Sequence, residues 1–411
     1  MADFPKYLVY TDAPPLGGEG TGMSVLAHNF LAALGSNVSG YLTRRYYKRL
    51  STELIGRDLS AERFLGWDCA GLKLRFVHGR HRRQLDHLLL RAWLAAHPAG
   101  RWRTAIAQAD EVVGLSGSDW RFLNRLQLLA KVVSRPYSVY VVDDFEESVQ
   151  LVATAKELAE CRKVVQGCLR QASRVFAICP GMAARIARLY GIESQVLYPV
   201  ADSFSVPDLP EVALKPRLVY VGSLNHLYLS VLREVADLLA VGHAEGRSKW
   251  KLHLITRDEK TFQREFANHP AITVDHTCDR ARLRSEVACS ELVLLPYSFD
   301  PQHRLMVESS FPSKFTDAIP AKRPILAYGP GYASIIHHLR MAGLPYVATS
   351  RSELLELLTT APWAVDEKWR KAYADAGQRF HSNAAFRAVF LGETSQAHAG
   401  SISKSGKQLE C

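Results

Sequence analysis

Glu308 to Pro330 reads ESSFPSKFTDAIPAKRPILAYGP, a proline-opened helix, a basic turn and an apolar strand in close succession. Phe311-Pro312 turns into a short helix, because the N–H that proline lacks is one the first position of a helix leaves unpaired anyway. Ser313 and Lys314 then fall in the first turn, where unpaired N–H groups and the positive end of the helix dipole favour a phosphate. A cation this early opposes the dipole, so Lys314 is placed for an anion rather than for the helix. Asp317 comes one turn later on roughly the same face, and its carboxylate can accept from two vicinal ribose hydroxyls. Phosphate at the tip and ribose one turn along describe a nucleotide. The plain alternative is an ordinary helix start carrying a surface Lys–Asp pair. Beyond Ala321-Lys322-Arg323-Pro324, Ile325 to Tyr328 is an apolar strand.

The chain around this stretch has 411 residues, too many for one ordinary core and suited to two domains. Hydrophobic content of 47% and charged content of 22% are those of a folded protein. No apolar run approaches the roughly 18 residues that span a bilayer, and MADFPKYLVYTDAPP lacks a signal-peptide layout, so a cytoplasmic location is expected. Seven scattered cysteines without a CxxC pair read as reduced thiols, not a disulfide framework or zinc site. The net charge of +10 calls for an anionic partner. Without zinc-finger spacing or an RNP-type motif, nucleic acid ranks last among these.

From the N-terminus, Tyr7 to Tyr10 is a short strand that ends in Thr11-Asp12-Ala13-Pro14-Pro15-Leu16-Gly17-Gly18-Glu19-Gly20, and a helix follows from about Gly22 to Leu34. Strand, glycine loop and helix open a nucleotide-binding type of α/β unit, although the loop matches neither G-x-G-x-x-G nor a P-loop. Val38 to Thr43 is a second strand. Two basic stretches come next, 44–49 and 78–103. The second carries Leu85, Leu88, Leu89 and Trp93 beside Arg80, Arg82, Arg83 and Arg91, a pattern that fits a helix on an anionic membrane surface or one packing its leucines on the sheet. Tyr137 to Val142 is a parallel-type strand ending at Asp143-Asp144, where open α/β sheets place ligands. Either aspartate is suited to an acceptor hydroxyl or to general-base work. For Asp144, next to Phe145-Glu146-Glu147, a helix cap is the competing use. Residues 201–216 form a proline-bearing linker, after which α/β alternation starts afresh at Arg217 to Ser223. Arg257, ending the strand Trp250 to Ile255, faces either a phosphate or solvent.

PSKFTDAIPAKRPILAYGP resembles the donor segment of GT-B glycosyltransferases, especially the retaining family 4. The resemblance implies two Rossmann-like domains facing a cleft, with a C-terminal helix crossing back to the first. It divides the chain into an acceptor domain (1–200), a linker (201–216), a nucleotide-sugar domain (217–362), returning helices (363–395) and a disordered tail (396–411). In such enzymes the position of Asp317 holds the ribose, and an acidic residue two turns earlier, here Glu308, contacts the donor sugar. Gly17 and Gly18 take the place of the loop facing donor phosphates and acceptor, and Gly222 that of a Val-Gly-Arg/Ser element. The Arg/Lys pair that follows it in the family is missing, since the chain continues Leu224-Asn225-His226-Leu227-Tyr228. Lys314, with Arg257, is left to meet the phosphate charge, and a donor with one phosphate, such as a CMP-sugar, becomes admissible.

The implied chemistry is glycosyl transfer from a nucleotide sugar to a saccharide or lipid-linked saccharide, with retention and without a metal or other cofactor, in surface-polysaccharide assembly. The catalytic candidates are Glu308 and Asp144. Gly17, Gly18, Gly222, Arg257, Ser313, Lys314 and Asp317 are candidates for the donor, and Asp12 and Asp143 for the acceptor. The basic stretches would bring the enzyme to the inner face of a membrane. A sugar-nucleotide 2-epimerase of the same fold, using His28 or His226, and a non-catalytic nucleotide- or polysaccharide-binding protein are the alternatives.

Overall fold

In a computed structural model, the structure describes residues 4–13, 15, 22–43, 100–146, 154–201, 215–246, 250–276, 280–319, 323–360 and 367–393. Gly17, Gly18, the basic residues 44–49, most of 78–103 and most of the 201–216 linker lie outside the described residues.

Among the described residues, twelve strands form two sheets. The first joins β1 (Tyr7–Thr11), β2 (Val38–Thr43), β3 (Glu111–Ser116), β4 (Tyr137–Val141), β5 (Arg174–Ala177) and β6 (Gln195–Val196) in the order β2-β1-β3-β4-β5-β6. The second joins β7 (Lys215–Val221), β8 (Lys251–Ile255), β9 (Ile272–Asp275), β10 (Ser290–Pro296), β11 (Ile325–Tyr328) and β12 (Val347–Ala348) in the order β12-β11-β10-β7-β8-β9. Every pairing is parallel. Helices cover the faces of such sheets, so the strands are buried on both sides and read as continuous apolar runs. β1 and β4 are buried along their whole length.

The run from Asp366 to Leu391 reads as one long helical pattern, but the structure divides it. A helix over Glu367–Ala376 passes into a single π-helical turn at Gly377–His381, and Ser382 then caps a new helix, Asn383–Leu391, accepting from the Ala385 N–H at 3.0 Å. That last helix crosses back to the first sheet. Phe390 meets Tyr7, Phe30 and Phe176 at ring-centroid distances of 5.2, 5.3 and 5.0 Å, and Arg174 donates to the Phe390 carbonyl at 2.6 Å.

Among the described residues, two of the contacts between the halves stand out. The helix Pro180–Tyr190 of the first half starts against the end of the helix Arg304–Ser309 of the second. A Cβ on Gly181 would overlap the Glu308 carbonyl oxygen, and the Cys179 thiol donates to the Ser309 carbonyl at 3.2 Å. The second contact is a buried histidine pair. His381 Nδ1 lies 2.8 Å from the Pro199 carbonyl, and its Nε2 lies 3.1 Å from Nε2 of His338, on the helix Ser334–Met341. The carbonyl can only accept, so Nδ1 of His381 carries the proton and its Nε2 accepts from His338. Phe311, Phe315 and Tyr198 pack around both rings. Burial pushes both imidazoles below the usual histidine range, His338 further because His381 and His337 add like charge.

Both histidines therefore stay neutral in the folded chain at a pH where the unfolded chain already protonates them, and stability falls as pH drops below about 6.5. Replacing His338 with Gln keeps a donor toward His381 and removes one of these groups. The loss of unfolding free energy between about pH 6.5 and pH 5 should then be shallower than in the parent by up to about 1.4 kcal/mol per pH unit, in urea titrations at each pH. Parallel pH curves for the two proteins would show that the pair does not behave in this way.

Candidate active site

Parallel strands deliver the residues that follow them to one edge of the sheet, and the two sheets turn these edges toward each other. In the first sheet the edge carries Asp12 after β1, Gly117 after β3 and Asp143 just beyond β4, three neighbouring strands. Asp12 and Asp143 converge: the point where Gly117 would bear a Cβ lies 3.2 Å from Oδ2 of Asp12 and 3.6 Å from Oδ2 of Asp143. Gly117 leaves that point open. Burial, followed by the Asp12 charge, raises the Asp143 carboxyl to about 6. A carboxyl held there is poised to accept a proton near neutral pH.

Asp144, the neighbouring residue, is committed elsewhere. It pairs with Arg185 through Nε, and through Nη2 at 3.2 Å, while its Oδ1 also accepts from the Glu146 N–H at 2.8 Å. Both side chains of the ion pair are buried, 6% exposed for Arg185 and 5% for Asp144. The use observed is this ion pair, joined by the turn that the Glu146 N–H closes on the carboxylate. Asp144, expected as a catalytic candidate, is thus held in a buried ion pair, whereas Asp143 stands beside Asp12 at the strand ends.

On the facing edge, β7 ends at Gly222 with φ of +147°, in the region that favours glycine. A side chain there would collide with the end of Lys314. Lys314 Nζ sits 4.7 Å from the centre of the Tyr220 ring and 4.4 Å from that of Tyr228, and it donates to the Tyr220 hydroxyl at 3.2 Å. Tyr220 in turn donates to the Ser223 carbonyl at 2.7 Å. The two halves meet electrically at this point, since the Tyr228 phenol is pushed up to about 12, by burial and then by the charge of Asp143. Arg257 lies exposed just past β8, next to Gly222, whose N–H donates to the Ile255 carbonyl at 2.9 Å.

The helix over Ser313–Ala318 has six residues, with Pro312 at its cap rather than at its first position and no side-chain cap. So short a helix offers little dipole, and any anion affinity rests on the Lys314 ammonium. For Ser313 and Asp317 the structure describes the backbone alone, on this helix. Glu308 is a quarter exposed on the seam between the halves and pairs with Arg304 at 2.7 Å, one helical turn earlier. Sequence reading passed over Tyr220 and Tyr228, which look like ordinary strand and loop aromatics, and over Gly117, whose value lies in an empty position between two carboxylates.

The two adjacent aspartates should respond in opposite directions. Asp144→Asn leaves Arg185 buried without its partner and should cost about 3–5 kcal/mol of stability. Asp143→Asn removes a carboxylate that the fold raises, a charge that costs stability above pH 6 and nothing below about pH 4. It should therefore stabilise the chain at pH 8, by something on the order of 1–2 kcal/mol, and leave it unchanged at pH 4. Denaturant midpoints at the two pH values measure both effects.

No family model and no curated protein matches the sequence. Among solved structures, the chain is similar to sucrose-phosphate synthase from Thermosynechococcus elongatus, with a TM-score of 0.60 at 14% identity over 93% of this chain and 96% of that one. It is also similar to WaaG, a glycosyltransferase involved in lipopolysaccharide biosynthesis, with a TM-score of 0.53 at 13% identity over 93% and 96%. A putative UDP-N-acetylglucosamine 2-epimerase from Listeria monocytogenes gives 0.50 at 10% identity over 96% and 98%. Likeness at this level of identity speaks for architecture: the chain has the GT-B fold that its 308–330 segment leads one to expect.

Proposed function

We propose that this chain is a glycosyltransferase that binds a nucleotide sugar on the second sheet and an acceptor saccharide, free or lipid-linked, on the first. One observation carries the reading: Lys314 is held at Gly222 on two tyrosine rings, and one of them, Tyr228, lies near enough to feel the charge of Asp143, whose carboxyl is poised near neutral pH. A ring face holds an ammonium by about 0.5–2 kcal/mol. A charge-assisted hydrogen bond to phosphate is worth about as much or more, so a donor phosphate can draw Lys314 off the rings. Gly222 lets the backbone approach the same phosphate, Arg257 adds charge at its edge, and Asp317 takes the ribose. Gly17 and Gly18, Ser313 and the sugar contact through Glu308 complete the donor site in this reading. Closing the cleft over the donor excludes water and protects it from hydrolysis. Lys314 would stabilise the departing phosphate without a metal ion.

The resemblance to family 4 favours retention, with the donor phosphate taking the acceptor proton and Asp143 orienting the acceptor hydroxyl. The convergence of Asp12 and Asp143 favours a second reading, inversion, in which Asp143 takes that proton as general base. Surface-polysaccharide assembly at a membrane's inner face fits the basic composition and remains part of the proposal. Among the described residues no helix is long and apolar enough to cross a membrane.

Thermal-shift and calorimetric titrations with UDP, GDP, ADP and CMP and their sugars test the donor site. One of them should bind, and Lys314→Met should weaken it by about 10–100-fold, the worth of a charge-assisted hydrogen bond. Unchanged affinity in that variant would remove the basis of the reading. Asp143→Asn then separates the mechanisms. A fall in kcat of about 10²–10⁴, with loss of the pH limb near 6, marks inversion through a base. A change confined to acceptor KM, with the anomeric configuration retained in the product by NMR, marks the alternative. Exchange at the sugar C2 position without an acceptor would make the chain an epimerase, and binding without turnover would make it a binding protein.

A further inference from the structure

The loop after Gly222 lacks the Arg/Lys pair expected of a diphosphate clamp, and the structure shows what occupies its place. His226 meets His303 with ring centroids 4.7 Å apart and planes inclined at 47°, and neither imidazole hydrogen-bonds to a described residue. Each ring is set by its own turn. Asn225 accepts from the N–H groups of Leu227 (3.1 Å, side chain) and Tyr228 (3.0 Å, backbone), a tight turn that leaves His226 exposed. Asp300 accepts from the Gln302 N–H at 2.9 Å and caps the one-turn helix Pro301–His303, which leaves His303 half-buried. The loop from Gly222 to Tyr228 touches Lys314 at both of its ends, and His226 lies between them. The pair therefore stands on the loops that follow β7 and β10, neighbouring strands of the second sheet, at the same carboxyl edge as Lys314.

We infer that His226 and His303 replace the missing basic pair, binding the second phosphate of a nucleoside diphosphate donor and taking up a proton as they do so. The inference rests on the nucleotide-sugar reading above. Arginine and lysine are charged at all physiological pH values, whereas an imidazole is charged only when something nearby makes protonation worthwhile. In the free protein His303 lacks that incentive. Burial and the neighbouring His226 lower His303, and Asp300 opposes them only in part. Arg304, next in the chain, is paired with Glu308 and laid over Tyr332 at 4.7 Å, so its charge is spent elsewhere. Among the described residues, Asp258 is the carboxylate bonded to this loop, accepting from the Leu224 N–H at 2.6 Å, while Lys314 and Tyr228 at the loop's other end bring no negative charge at neutral pH. A diphosphate bridging Lys314 and the imidazoles would supply that charge. The proton enters from solvent onto a ring nitrogen and no bond of the ligand changes. Donor affinity should then rise as pH falls, and a monophosphate that reaches only Lys314 should not share this dependence.

Calorimetric titration of the full chain with UDP, GDP and ADP, repeated at pH 7 in buffers of different ionisation heat, counts the protons taken up. The diphosphate that binds should bring in a measurable fraction of a proton, and its affinity should strengthen several-fold between pH 8 and pH 6.5. The double variant His226→Gln, His303→Gln should still bind that diphosphate through Lys314, several-fold more weakly at pH 6.5, with proton uptake lost and the pH dependence flattened. CMP, the monophosphate control, should bind parent and variant alike. Equal proton uptake by parent and variant would overturn the inference and leave the nucleotide site standing. If none of these nucleotides binds the parent chain, the nucleotide reading falls and this inference falls with it.

Discussion

At Gly181 the backbone of one half presses directly on the Glu308 carbonyl of the other, and the cleft depends on that contact. Any side chain there would force apart two helices, Pro180–Tyr190 and Arg304–Ser309, whose meeting sets the separation between the sheet edges. Backbone against backbone yields little, because neither side has a rotamer to change. The buried pair His381–His338 and the Pro199 carbonyl fix the same junction from behind, and the ring of Phe315, next to Lys314, packs on both imidazoles. Lys314 is thus carried on a segment whose next residue packs against the junction of the two halves.

The carboxyl edge shows how a fold can accept a local cost for chemistry. Asp143 and Asp144 are neighbours in sequence with opposite energetics. Asp144 gains a buried guanidinium and a backbone N–H, while Asp143 gains a like-charged neighbour and a glycine that leaves the space between them empty. A chain selected for stability alone would relieve the second arrangement with almost any substitution. Groups whose ionisation is made unfavourable in a cleft are the ones poised to take protons there.

The architecture was legible because its signals are local and redundant. Strands such as Leu8-Val9-Tyr10 and Val139-Tyr140-Val141 are apolar on both faces, which only a covered parallel sheet explains, and proline and glycine mark the boundaries of Pro180–Tyr190. Some local signals misled. The long helical pattern from Asp366 gave no warning of the break at Gly377–His381, because a π-helical turn keeps helical spacing on either side while rotating the face. Asp144 stood in the position of a ligand-facing strand end, and nothing in its neighbourhood in sequence announces Arg185, forty-one residues away.

By itself the sequence determined the two α/β halves, which follow from periodicity, and singled out Lys314 as a cation at an unhelpful place in a helix, while the crossing of the last helix was implied by the resemblance to GT-B enzymes. Tertiary structure alone decided which aspartate faces the cleft, which rings hold the lysine, and that His226 meets His303 from seventy-seven residues further along. The physical reason is range. Hydrophobic patterning is written within a few residues, whereas a carboxyl's proton affinity or an ammonium's resting place depends on whatever charge and ring the folded chain brings within several ångströms, and the distance along the chain says nothing about it.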